Sequence, residues 1–207
     1  HVFPLDLENI PDLKEKAQAA LNIFGRIDII IHSGGVSQRS LAMDTTIDVA
    51  QKIMNINFWG TVALTQGILP SMISNKSGHI VIISSLVGKF GTKFRSTYSA
   101  SKHALHGYFD SLRSEIDPKI SISIICPGFI KTNVTINALT ANGTRQNTMD
   151  DAQANGMSAD ECAVQIIKAI QSEKEEVYIG GKEKYAVLFK RFLPGVFSKF
   201  VRKAKVT

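Results

Sequence analysis

Blocks of apolar residues and blocks of amphipathic residues alternate along the chain, and each kind of block predicts one kind of secondary structure. Short runs rich in β-branched residues are typical of strands that are buried on both faces. Such runs occupy residues 2–7, 26–35, 78–85, 120–128 and 175–181. Apolar residues at helical spacing occupy 9–24, 46–74 and 97–116, and a further helix begins at Ser158, which forms a capping box with Glu161.

The alternation of strands and helices predicts right-handed βαβ units, in which parallel strands form one sheet with helices on both faces. The length of 207 residues, with 44% hydrophobic and 20% charged residues, is ordinary for one globular domain. We therefore expect a single α/β domain that spans residues 1–207.

Composition argues against several other classes of protein. Cys126 and Cys162 are the only cysteines and form no paired motif, which argues against a disulfide scaffold or a metal site. No apolar run approaches the length of a transmembrane helix. Two unpaired cysteines also fit a reducing compartment. We expect a cytoplasmic protein, with a peripheral contact to a membrane as a further possibility, and no bound metal.

Two segments do not follow the alternation. Residues 131–157 are polar, long and without apolar periodicity, so they are either a lid over a substrate site, which we favour, or disordered. Residues 184–207 hold seven basic and no acidic residues, together with aromatic and aliphatic residues at helical spacing. This basic amphipathic segment either covers the fold as a C-terminal helix or contacts a membrane surface through residues 184–205. Because the excess of basic residues is confined there, we expect no nucleic-acid partner.

Small and polar residues follow the predicted strands where ligands bind in open parallel sheets, beyond the carboxyl ends of the strands. The residues at these ends are Asp6, His32 to Gly35, Ser84, Ser85, Pro127 and Gly128. The helix that carries Tyr98 and Lys102 follows the strand ending at Ser85, so it begins at the same edge. Tyr98 and Lys102 are four positions apart and therefore lie on one helix face. The sequence predicts a functional site at this edge.

The spacing of these residues resembles that of the short-chain dehydrogenase/reductase family. The family motif Tyr-x-x-x-Lys stands here as YSASK, from Tyr98 to Lys102, and Ser85 lies 13 positions before the tyrosine. The helix asparagine of the family stands as Asn57 in NINFWG. The Pro-Gly that the family places after the next strand, followed by Thr, stands as PGFIKT from Pro127.

The resemblance extends over residues 3–180 and implies a Rossmann-type doubly wound sheet. It also implies an NAD(P)-dependent oxidoreductase that interconverts a carbonyl and a secondary alcohol. Tyr98 would give the carbonyl oxygen its proton, and Lys102 would lower the pKa of the phenol and bond the nicotinamide ribose. Ser85 would hydrogen-bond the substrate oxygen, and Asn57 would hold a water that relays protons to Lys102.

The cofactor that the resemblance implies is NAD or NADP, with NADP favoured. The implied contacts are Asp6, Leu7, His32, Ser33, Gly34, Tyr98, Lys102, Pro127, Gly128, Ile130 and Thr132. For His32, a packed residue at a strand end is the alternative to a site residue. The implied partners are a small carbonyl or alcohol substrate and further copies of the chain. We expect a homodimer or homotetramer formed through the helices at 46–74 and 97–116.

The sequence departs from the family pattern in two places. The glycine-rich turn Thr-Gly-x-x-x-Gly-x-Gly, which binds the cofactor pyrophosphate, does not occur in these 207 residues. We expect that about two βα units of a longer protein precede residue 1, and that the chain alone binds dinucleotide weakly. The Asn-Asn-Ala-Gly of the family stands as HSGG, from His32 to Gly35. The alternative function is therefore a non-catalytic relative that acts in oligomer assembly or membrane-surface binding.

Overall fold

The computed structural model describes residues 1–204, and Lys205, the last basic residue of the C-terminal segment, lies outside that range with Val206 and Thr207. Four parallel strands form the central sheet in the order β1-β2-β3-β6, and β4 and β5 form a small second sheet. The strands are β1 (Ile29–His32), β2 (Gly78–Ile83), β3 (Ile120–Pro127), β4 (Ile130–Lys131), β5 (Met157–Ser158) and β6 (Glu176–Ile179).

The helices begin and end where the sequence offers capping residues. Ser158 and Glu161 form both hydrogen bonds of the predicted capping box, and Gly25 ends the first helix with a left-handed φ of 78°. The helices are α1 (Ile10–Phe24), α2 (Ile47–Met54), α3 (Gly60–Asn75), α4 (Ser96–Glu115), α5 (Asp151–Ala154), α6 (Ala159–Gln171), α7 (Ala186–Phe192) and α8 (Pro194–Lys203).

The central sheet is covered by helices on both faces, as predicted. Successive residues of a strand point to opposite faces, so Ile80 and Ile82 join the core that includes residues of α3 and α4. Val81 points the other way and joins a second core with Cys162 and Ala169 of α6. The two cores hold the carboxyl ends of β1, β2 and β3 side by side.

The helix predicted over residues 46–74 is interrupted by one π-helical turn, Asn55–Trp59, between α2 and α3. Single π turns inside α-helices are frequent at functional sites. The N-terminal segment passes over the helix at Gly60, the residue directly after the π turn. A Cβ atom at Gly60 would lie 2.4 Å from the backbone oxygen of Leu7, so only glycine fits.

The strand predicted over residues 2–7 is wrong. Residues 1–6 have no regular structure, and a turn begins at Leu7. A strand requires hydrogen bonds to a neighbouring strand, and none within residues 1–204 pairs with this segment. Leu7 packs against Gly34 and Gly60, while Val2 and Leu5 of the same segment are exposed.

The polar segment at 131–157 is folded against the rest of the protein. Leu139 forms a β-bridge with Gln38, and Thr135 and Ala138 are fully buried. The backbone N–H of Leu139 donates to the oxygen of Ser37 at 2.9 Å. Of the two sequence-based interpretations, disorder does not describe this segment. Among the helices of residues 1–204, none is both long enough and apolar enough to cross a membrane.

Candidate active site

The first turn of α4, which carries Tyr98, is held by a buried glutamine. The first backbone N–H groups of a helix have no partner within it. Here Oε1 of Gln38 accepts from the N–H groups of Thr97 at 2.8 Å and of Tyr98 at 3.2 Å. Gln38 is fully buried, and its Nε2 donates to Thr45 Oγ1 at 2.8 Å. Gln38 therefore positions the tyrosine, although no sequence spacing links residues 60 positions apart.

Ser85 and Tyr98 meet at the carboxyl edge of the sheet. Ser85 lies two residues after the end of β2. Its Oγ accepts from Val87 N–H at 3.3 Å and donates to the oxygen of Pro127 at 3.4 Å. Burial raises the pKa of Tyr98, while a hydrogen bond with Ser85 and the positive charge of Arg95 act to lower it. The two hydroxyl groups thus share one hydrogen-bonded site.

Lys102 lies one helical turn after Tyr98 with a buried amine. Its Nζ donates to the backbone oxygen of Ile83 at 2.8 Å and lies 5.9 Å from the centre of the Tyr98 ring. Burial lowers the pKa of Lys102 to about 8. The positive charges of Arg95 and Arg39 act to lower the pKa of Tyr98, and the expected effect of Lys102 on that pKa stays a prediction.

Asn57 lies in the π turn and is almost completely buried. Its Oδ1 accepts from Val36 N–H at 2.8 Å, and its Nδ2 donates to the oxygen of Val36 at 2.9 Å and to Ser101 Oγ at 3.0 Å. Both N–H bonds of the amide are therefore used, and the side chain ties the loop after β1 to α4. The expected water relay from Asn57 to Lys102 stays a prediction. Gly35 passes close by, because its Cβ would lie only 3.1 Å from Asn57 Oδ1 and 3.7 Å from Lys102 Nζ.

Two cavities of about 550 Å³ each meet at Ser85 and Tyr98. The first is a cleft along the strand ends, which we call the edge cleft. It brings together most of the predicted site residues, namely Ser33, Gly34, Ser85, Tyr98, Lys102, Pro127, Gly128, Ile130 and Thr132. The second, which we call the apolar cavity, lies beneath α7 and α8 and is lined largely by hydrophobic side chains, among them Leu86, Val87, Phe90, Phe189 and Phe197.

Three predicted cofactor contacts do not line the edge cleft. The ring of His32 is buried and its Nε2 hydrogen-bonds Thr65 Oγ1 at 3.0 Å, and burial lowers the pKa of His32 to about 4. Asp6 is exposed and accepts from the N–H of Glu8 at 2.9 Å. Leu7 packs on glycine backbone, as described above. His32 is thus the packed residue of the alternative interpretation, and Asp6 and Leu7 belong to the unpaired N-terminal segment.

A buried ion-pair network joins the 131–157 segment to the site. Asp150 Oδ2 accepts from Arg39 Nε at 2.8 Å and from the guanidinium of Arg95 at 3.2 Å, and Asp150 Oδ1 accepts from Gln146 Nε2 at 2.9 Å. Burial acts to raise the pKa of Asp150, but the hydrogen bonds of Arg39 and Gln146 outweigh it and lower the pKa. Arg95 immediately precedes α4, so this network also fixes the start of the helix that carries Tyr98.

The fold and the site together define an α/β protein with a ligand cleft at the carboxyl edge of a parallel sheet, lined by Tyr98, Lys102 and Ser85. The family model for short chain dehydrogenases matches residues 1–143. The chain belongs to the short-chain dehydrogenase family. Within residues 1–204, no group of three or more His, Cys, Asp or Glu side chains could hold a metal ion.

Individual proteins are similar over nearly the whole chain. Dehydrogenase/reductase SDR family member 7B of Xenopus tropicalis is 38% identical over 203 residues, which are 97% of this chain and 66% of that protein. Dehydrogenase/reductase SDR family protein 7-like of Anopheles gambiae is 42% identical over 204 residues, which are 98% of this chain and 64% of that protein. The chain thus spans just under two thirds of the length of these relatives.

Solved structures share the fold at low sequence identity. A short-chain dehydrogenase from Streptomyces avermitilis superposes with a TM-score of 0.76 at 24% identity, covering 96% of this chain and 76% of that one. A short chain dehydrogenase from Burkholderia cenocepacia in complex with NADP gives a TM-score of 0.79 at 18% identity, covering 97% and 77%. A short chain dehydrogenase/reductase from Burkholderia phymatum in complex with NAD gives a TM-score of 0.78 at 19% sequence identity, and the match covers 90% of this chain and 73% of that one.

Proposed function

We propose that this chain carries the proton-transfer site of an NAD(P)-dependent oxidoreductase that interconverts a carbonyl and a secondary alcohol. One observation supports this most directly. The hydroxyl-bearing residues Tyr98 and Ser85 line both the edge cleft and the apolar cavity. A cofactor in the cleft and an apolar substrate in the cavity would therefore meet at these two hydroxyl groups.

In this proposal each side chain has one task. The raised pKa of Tyr98 keeps the phenol protonated, so that it can donate its proton to the oxygen of a carbonyl as negative charge develops there. Ser85 turns its hydroxyl proton from the oxygen of Pro127 to donate a second hydrogen bond to the substrate oxygen. The ammonium group of Lys102, behind the tyrosine, stabilises the phenolate that the transfer leaves.

The residues of the edge cleft fit the nicotinamide half of a dinucleotide. Gly34 and Gly35 leave the backbone open to close approach, and Lys102 Nζ, with one bond to Ile83, keeps donors for ribose hydroxyl groups. Thr132 and the backbone at Ile130 would hold the carboxamide. The cofactor supplies the hydride, and NAD and NADP are both supported because fold relatives contain one or the other.

We expect carbonyl reduction to depend on pH through Lys102. Its pKa is lowered to about 8, so the ammonium form predominates below that pH and is lost above it. The value of kcat/KM for reduction by the full-length protein should therefore be level below about pH 8 and fall above it. A pH profile with hydrophobic ketones as substrates measures this, and a profile that stays level through pH 10 would contradict the assigned role.

We propose further that residues 131–157 act as a substrate lid within a single domain over residues 1–207. Val134 and Gln153 of this segment line both cavities, and Asp150 connects it to the start of α4. A segment so placed can exclude water from both sides of the tyrosine. The two free cysteines, both buried, support a cytoplasmic setting for this chemistry.

We propose that the chain forms a homodimer or homotetramer through the helices at 46–74 and 97–116, the first of which includes the π turn that ends at Trp59. Trp59 is 49% exposed beside Phe58, whose ring lies 4.7 Å from its own. Replacing Trp59 by Glu should lower the mass of the assembly measured by light scattering, since it places a charge in the interface. Phe24→Glu, at a 73% exposed site on α1, is the matched control and should leave the mass unchanged. An unchanged mass for Trp59→Glu contradicts this interface.

A further inference from the structure

The C-terminal helices carry an exposed apolar surface on the outside of the protein. Five large hydrophobic side chains of α7, α8 and their junction are between 50% and 71% exposed, and we call them the docking surface: Leu188, Phe192, Leu193, Val196 and Phe200. Patches of this kind on a helix are typical of an interaction site rather than of scattered surface residues.

The same helices are anchored by their inner side. Phe197 is only 4% exposed and packs its ring 5.3 Å from that of Phe90 and 5.5 Å from that of Phe189. Phe189 and Val201 line the apolar cavity, and Phe200 contributes to the wall of that cavity as well as to the docking surface. Because these residues fix the rotation of both helices, the docking surface is held outward and does not have to be exposed by unfolding.

The charge around the docking surface has one sign. Within residues 184–204 the side chains include six basic and no acidic residues: Lys184, Lys190, Arg191, Lys199, Arg202 and Lys203. On α8, helical spacing places Lys199 and Arg202 away from Phe197 and Val201, and it places Lys203 beside the exposed Val196, seven positions earlier. The surface therefore combines exposed apolar side chains with a strong positive potential.

We propose that the docking surface binds an anionic membrane, with Phe192 and its apolar neighbours in the headgroup region and the cations near lipid phosphates. An interfacial helix is stabilised by apolar burial together with attraction to anionic lipids. A second copy of the chain is disfavoured as the occupant, because pairing this surface with itself brings like charges together. The proposed membrane binding does not depend on the proposed oxidoreductase activity. It places the docking surface at the surface of the bilayer, and no segment crosses the bilayer for it.

Vesicle co-sedimentation of the 207-residue chain tests the proposal. Phosphatidylcholine vesicles are compared with phosphatidylcholine vesicles that contain phosphatidylserine. We expect binding to the mixed vesicles, weakening as salt is added, and at least about tenfold weaker binding to phosphatidylcholine alone.

Two variants separate the apolar and the charged contributions. Phe192→Ser with Val196→Ser removes exposed apolar area, and Lys199→Gln with Arg202→Gln and Lys203→Gln removes charge. Each should lower the partition coefficient at least about tenfold. The matched controls change exposed residues of the same types elsewhere and should bind like the wild type. They are Phe24→Ser with Met43→Ser, and Lys14→Gln with Lys119→Gln and Lys168→Gln.

The proposal is overturned if the wild-type chain does not bind the mixed vesicles, or if it binds and both variants bind equally well. It is also overturned if the variants change the mass of the assembly by light scattering but not vesicle binding, because the surface would then contact a second copy. Circular dichroism melts of all proteins establish that the compared chains are folded.

Discussion

Replacing Tyr98 by Phe should lower kcat/KM for carbonyl reduction by the full-length protein about 10²–10⁴-fold, the range that positioned proton transfer contributes. The substitution removes one oxygen atom and leaves the ring in place, so the walls of both cavities keep their shape. Ser85 still reaches the substrate oxygen, but no acid remains there with a proton to give. The loss should appear in kcat, because the proton moves only as the transition state forms.

Tyr108→Phe is the matched control for this prediction. It removes a hydroxyl group from the same helix, at a residue whose ring packs 6.0 Å from that of Phe58 and outside both cavities. Its activity should stay close to that of the wild type. Steady-state kinetics with aryl and aliphatic ketones measures both variants, and equal losses in the two would show that the loss comes from packing of α4.

Replacing Asp150 by Ala should lower the free energy of unfolding by about 3–5 kcal/mol, because two buried guanidinium groups lose their shared carboxylate. The side chains of Asp150, Arg39 and Arg95 are all less than a tenth exposed. Since the pKa of Asp150 is lowered in the folded protein, its contribution is present above the ordinary carboxylate pKa and is lost as pH falls through the lower folded value. Denaturant titration at neutral pH measures the change.

Asp110→Ala controls for the loss of an ion pair as such. Asp110 pairs with Arg113 at 2.7 Å on the surface of α4, with its side chain 54% exposed. Exposed pairs contribute about 0–1 kcal/mol, so this variant should be nearly as stable as the wild type. A similar small effect at Asp150 would show that the network does not hold the 131–157 segment to the site.

The sequence was most informative where local spacing decides the structure. Helices α1, α4 and α6 begin or end within a residue or two of their predicted bounds, because capping residues and apolar periodicity act within a few positions. The convergence of Tyr98, Lys102 and Ser85 on one cleft was predictable as well, since strand ends in a parallel sheet share an edge.

Contacts between distant positions were not predictable. The hydrogen bonds of Gln38 to α4 join residues 59 and 60 positions apart, and the pair of Arg39 with Asp150 spans 111 positions. The prediction of a strand at residues 2–7 was wrong, because an apolar run becomes a strand only where a neighbouring strand pairs with it, and the run itself does not show whether one does. The shift in the pKa of Tyr98 was not predictable from the sequence either, because the burial of the phenol and the placement of Arg95 near it follow from the tertiary fold.

Deuterium transfer from cofactor labelled at nicotinamide C4 tests the central claim most directly. The measurement uses the full-length protein with saturating labelled NADPH or NADH and a panel of hydrophobic ketones, followed in single turnover. The wild type should deliver deuterium to the carbinol carbon. Tyr98→Phe should bind the cofactor with a similar Kd but transfer deuterium at least about 10²-fold more slowly. Transfer by Tyr98→Phe within about tenfold of the wild type, or no transfer and no cofactor binding by the wild type, would contradict the claim.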